Sequence, residues 1–127
     1  MRRPDYKGRA DRLVSIMKRA GLDSFFVTDE TNVAYLTGFT GSDSMLLVTP
    51  ERRALITDSR YTEQARKTAS GCRVVTVSRS TYDTVDELAA KYGLRRMGFE
   101  SMNLQYEPAS RLMARLKETK MVPSRNA

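Results

Sequence analysis

Few side chains in this sequence can do chemistry, and their types narrow the possibilities. There is no histidine, and Cys72 is the single cysteine. A zinc site of the usual Cys/His kind cannot be built from that set. Serine–histidine and cysteine–histidine nucleophilic pairs are excluded for the same reason. Carboxylate, lysine and tyrosine chemistry is what is left. Three acids, Asp29, Asp58 and Glu100, stand at the C-terminal ends of apolar runs, the edge of an open α/β sheet where ligands gather. Brought together, they could hold a divalent metal and serve a nuclease or phosphatase. The alternative is favoured. Asp29 and Asp58 each precede a helical pattern and read as helix caps, while Glu100 opens a solvated loop.

The remaining candidates are softer. Gly38-Phe39-Thr40-Gly41-Ser42 lacks the Lys-Ser/Thr ending of a phosphate loop and lies between a helix and a strand, so it reads as a turn. Cys72 reads as a small, partly buried residue rather than an activated thiol. Tyr35, Phe39, Arg60 and Tyr61 flank the turns and belong to types favoured at interfaces. They fit equally a packing role, with Tyr35 and Tyr61 on the sheet and Arg60 paired with Asp58.

These residues must be held by elements that the hydrophobic pattern marks out. Leu13, Ile16, Met17 and Ala20 recur at helical spacing within residues 5–20, and Gly21 closes that helix. Ser24–Thr28 is a buried strand rich in aromatic and β-branched residues. A brief helix, capped by Thr28 or Asp29, runs to about Leu36 and is closed by Gly38. Ser44–Thr49 and Arg53–Thr57, separated by Pro50-Glu51-Arg52, form an antiparallel hairpin. Asp58 or Ser59 starts a helix that Gly71 ends. Arg73–Val77 is a strand. Ser80 and Asp83 resemble a capping box for a helix ending at Gly93. Arg95–Glu100 is a strand, a last helix runs from about Pro108 to Lys117, and Lys120–Pro123 adds a final strand before a frayed end at Ser124–Ala127. Alternating strands and helices around a hairpin give a mixed sheet of five or six strands, covered by helices on both faces.

The chain has 127 residues, enough for one domain with its own core. One cysteine suits a reducing compartment such as the cytoplasm. No apolar run is long enough to span a bilayer, and no apolar segment follows the basic N-terminus to make a secretory signal. The net charge of +7 is spread from Arg2 to Arg125 rather than focused in a stripe, which argues against nucleic-acid binding and leaves an acidic protein partner open.

Read in order, Gly21–Thr28, Asn32–Ser42, Thr57–Ala65 and Gly98–Glu100 resemble the N-terminal domain of the creatinase/prolidase family. That family includes the Xaa-Pro dipeptidases and aminopeptidases. The resemblance spans essentially residues 1–127 and implies a three-layer α/β/α domain with a ribonuclease-H-like mixed sheet. It implies a longer enzyme whose pita-bread catalytic domain begins shortly after Ala127 and carries two divalent metals, commonly manganese or cobalt. This chain is then the non-catalytic part, with no catalytic or metal-ligating residue of its own. Its partners are the catalytic domain of the same polypeptide and, in the whole enzyme, a second copy. In the family this domain contributes to the dimer and to the rim of the partner subunit's active site. The turn Tyr35–Phe39 and the segment Arg60-Tyr61 are the rim candidates, with small Ala34 suggesting an open pocket edge. A stand-alone interaction module for an acidic partner is the alternative, and a creatinase-type reaction of the longer enzyme stays open.

Overall fold

The computed structural model describes residues 4–69, 71–77, 79–101 and 103–124. Its elements run α1 (Tyr6–Arg19), β1 (Ser24–Val27), α2 (Glu30–Thr37), β2 (Met45–Val48), β3 (Arg53–Thr57), α3 (Thr62–Thr68), β4 (Arg73–Thr76), α4 (Thr81–Tyr92), β5 (Arg96–Glu100), α5 (Tyr106–Arg115) and β6 (Lys120–Ser124).

The strands form one six-stranded sheet in the order β4-β3-β2-β1-β5-β6. β2 is antiparallel to both its neighbours, and the pairs β3–β4, β1–β5 and β5–β6 are parallel. The hairpin is the reason for this mixture. The short link after Val48 can only reverse the chain, whereas α3, α4 and α5 give the later crossovers room to return in parallel. Pro123 sits in β6, an edge strand where a missing N–H costs no ladder bond.

Side-chain alternation splits the core between the two faces. Phe25, Val27, Leu46, Val48 and Leu55 pack with Leu13 and Met17 of α1, Val33 and Leu36 of α2 and Ala65 of α3. Phe26, Leu47, Ala54, Ile56, Met97 and Phe99 pack with Val85 and Leu88 of α4 and Leu112 of α5. Neighbouring residues such as Phe25 and Phe26 are both fully buried because each faces a different helical layer. Burying one such ring contributes about 1.5–3 kcal/mol. The layers are helix, sheet and helix, as the alternation of elements requires.

Local expectations at three elements need correction. α3 begins at Thr62, not directly after Asp58, and no side chain caps it. Its last residue is Thr68, three before Gly71. α5 begins at Tyr106, so Pro108 lies within the first turn rather than at its first position; its missing N–H is one that the helix leaves unpaired in any case. Ser124 belongs to β6 rather than to a frayed end, and 125–127 lie outside the described residues. Ser80 caps α4 as expected, accepting from the Asp83 amide at 3.1 Å. The Asp83 carboxylate turns to Arg115 of α5, which ties the two helices of one layer together.

Candidate functional site

The C-terminal ends of β1, β3 and β5 carry the three acids, and each does a different structural job. Asp29 caps α2, its Oδ1 accepting from the Thr31 amide at 3.0 Å. Glu100 is buried, not solvated, at 8% exposure. Its Oε1 accepts from the amides of Thr28 and Asp29 at 2.6 and 2.9 Å, and its Oε2 from Asn32 Nδ2 at 2.5 Å. One carboxylate thus fastens the end of β5 to the turn between β1 and α2. Charge-assisted bonds of this kind are stronger than neutral ones, which explains an acid at a buried strand end.

Asp58 caps no helix. Its Oδ1 accepts from the Arg60 amide at 2.8 Å, and its carboxylate is gripped by Arg60 Nε and Nη2 at 3.1 and 2.7 Å. The Arg60 side chain, chiefly through its hydrogen bond, holds the Asp58 carboxyl below its ordinary range, and the same bond from Asp58 raises the already high value of Arg60. A neutralised, exposed pair of this sort is a poor general acid or base. Among the described residues no three Asp, Glu, Cys or His groups lie close enough together to hold a metal ion. The nuclease reading of Asp29, Asp58 and Glu100 is therefore overturned.

The aromatic candidates fall into two groups. Phe39 is fully buried under the Gly38–Ser42 turn and meets Tyr61 edge-on, with centroids 6.4 Å apart. It supports the surface and does not present itself to solvent. Gly38 ends α2 at φ 83°, and Gly41 lies so close to the Phe39 ring that any side chain there would overlap it. Arg60 lies over the Tyr61 ring at 5.1 Å and reaches Asp43 at 3.6 Å. Asp43 itself takes φ 56° and donates its amide to Glu30 at 2.8 Å. Arg60, Tyr61, Asp58 and Asp43 therefore make one charged cluster on the strand-end loops.

Tyr35 belongs to a second group. It is 49% exposed on α2, and the Arg9 guanidinium of α1 stacks over its ring at 4.0 Å. Arg9 Nη1 also donates to the Tyr35 carbonyl at 2.7 Å. A cavity of about 260 Å³ opens beside this stack, lined by Arg9, Arg12, Leu13, Phe25, Tyr35 and Leu36. Ala34 is half-buried next to Tyr35. Nothing in the local sequence marks Arg9: helical spacing puts it simply on a polar face, and its partner is 26 residues away. Asn32 and Glu100 are hidden in the same way, since their contact closes across 68 residues. Cys72 is half-buried, and desolvation pushes its thiol up, against an opposing pull from Arg53.

The family model described as "Creatinase/Prolidase N-terminal domain" matches residues 9–127. The chain belongs to this family. A member solved from Bacillus anthracis, an Xaa-Pro dipeptidase, superposes with a TM-score of 0.90 at 30% identity, covering 94% of this chain and 34% of its own. The N-terminal domain of the cytoplasmic peptidase PepQ from Mycobacterium tuberculosis superposes at 0.84 and 32% identity, covering 92% of both chains. Among curated sequences, the uncharacterized peptidase YqhT of Bacillus subtilis is 31% identical over 115 residues, 91% of this chain and 33% of its own length. The chain thus spans about a third of the longer family members it resembles. The sheet order and both helical layers are those of a creatinase/prolidase N-terminal domain, and no helix among the described residues is long and apolar enough to cross a membrane.

Proposed function

We propose that these 127 residues are the non-catalytic N-terminal domain of a cytoplasmic Xaa-Pro dipeptidase or aminopeptidase. The single observation that carries this reading is a family match over nearly the whole chain, joined to a residue set with no histidine. The hydrolytic step then belongs to a catalytic domain of the same polypeptide, which supplies the ligands for two divalent metals, manganese or cobalt, that activate water.

This domain's contribution is to the dimer and to the rim of the partner subunit's active site. Tyr35 is the strongest rim candidate. It is exposed, yet its ring and carbonyl are both held by Arg9, so it offers a contact that is already oriented. Arg60 and Tyr61 offer a second one. Ala34 leaves room beside Tyr35, and Phe39 acts from beneath by fixing Tyr61.

The test is an assay on Xaa-Pro dipeptides and longer Xaa-Pro peptides with added manganese or cobalt. The chain alone gives no turnover. Grafted in place of the corresponding third of the Bacillus anthracis dipeptidase, it supports a dimer by sedimentation. In that chimera Tyr35→Ala lowers kcat/KM by about tenfold, the worth of one good contact. Peptide hydrolysis by the isolated chain, or an active chimera indifferent to Tyr35, Arg60 and Tyr61 alike, would defeat the reading.

A further inference from the structure

Away from the strand-end edge, a cavity of about 490 Å³ lies where α1, the β2–β3 turn, β4 and the end of α4 meet. Its charged lining comprises Lys7, Arg52, Arg53 and Arg73 against Asp11 and Glu51, a surplus of two positive charges. Lys7 and Asp11 satisfy each other at 2.9 Å. Arg52 is held over the Tyr92 ring at 4.8 Å.

Arg53 is the anomaly. It is half-buried at the start of β3, and its Nη1 is shut off from solvent without a hydrogen-bond partner. Among the described residues its guanidinium makes no ion pair. Burial raises the nearby Cys72 thiol, and Arg53 pulls it the other way. Gly71, at φ 67°, leaves open the space that any side chain would take from the guanidinium. An N–H shut off from water without a partner is costly, and such groups in folded proteins call for an explanation.

We infer that this cavity is a binding site for a small phosphate dianion, free or as a phosphate monoester, with Arg53 as its central ligand and Arg52 and Arg73 flanking it. The surplus of two charges matches the dianion, and a guanidinium fork suits phosphate oxygens. This site is independent of the peptidase reading, which needs no anion.

The experiment is an amide NMR titration of the 127-residue chain with inorganic phosphate, and separately with glycerol phosphate, at constant ionic strength set by chloride. Saturable shifts at Arg53, Gly71, Cys72 and Arg73 are expected. Tighter binding of glycerol phosphate identifies a monoester as the ligand, and equal binding identifies free phosphate. Arg53→Gln weakens the response at least tenfold, while Arg111→Gln, the same charge change on α5, leaves it intact. In phosphate-free buffer Arg53→Gln keeps or raises Tm, because it removes an N–H that is buried without a partner. Should that variant not fold, Arg73→Gln takes its place, with a severalfold loss expected. Shifts that chloride alone reproduces, or that survive in the folded Arg53→Gln protein, overturn the site. So does a phosphate-inert cavity that instead receives a carboxylate from a protein partner.

Discussion

Replacing Glu100 by alanine tests how this fold holds the α2 surface in place. The substitution strands three donors: the amides of Thr28 and Asp29 and the side-chain amide of Asn32, now 2.6, 2.9 and 2.5 Å from carboxylate oxygens. Hydrogen bonds to a charged group contribute about 1.5–3 kcal/mol each, but three that share one carboxylate are not additive. Removing the carboxylate also relieves its own desolvation, which offsets part of the loss. The net expectation is about 3 kcal/mol of destabilisation, or roughly 12 °C in Tm for a domain of this size. Glu100→Gln should cost only about 1 kcal/mol, since its carbonyl can still take both backbone amides and Asn32 can turn its own amide to suit. Urea denaturation gives the stabilities, and hydrogen exchange localises the effect, with protection lost first at Thr28 and Asp29. A Glu100→Ala protein within about 0.5 kcal/mol of the parent, the range of ordinary surface substitutions, with both amides still protected, would refute the assignment of this carboxylate as a clasp.

Two further outcomes follow from the same region. Gly41→Ala pushes a methyl group into the buried Phe39 ring and should destabilise by about 1–3 kcal/mol, as overpacking does, with the Tyr61 ring resonances shifting because that ring meets Phe39 edge-on; urea denaturation and NMR report both. The Asp58 carboxyl is held below its ordinary value chiefly by the Arg60 hydrogen bond. Whatever stability the pair gives is present above the unfolded carboxyl's pKa and is lost as pH falls through the folded one. Arg60→Ala should return the carboxyl carbon titration of Asp58 toward the ordinary range; an unchanged titration contradicts the pairing.

Much of this protein is written locally. The apolar spacing of α1 and α4, the cap at Asp29, the left-handed Gly38 and Gly93 and the Pro50 hairpin all act within a few residues of themselves, so pattern and turn chemistry suffice to place them. The missing histidine is likewise a fact of composition, and it removes whole classes of catalysis by itself. The motif order from Gly21 to Glu100 was enough to point to the family. What the chain order could not disclose is which partners distant residues would find. Glu100 meets the β1–α2 turn across about 70 residues, Arg9 meets Tyr35 across 26, and the unpaired Arg53 lies beneath a glycine of another strand's approach. Local pattern assigns Glu100 to a solvated loop, because an isolated strand end is solvated. Only when the six strands line up and the two helical layers close over them does water leave. The charge that remains must then find a partner in the fold or wait for one from outside.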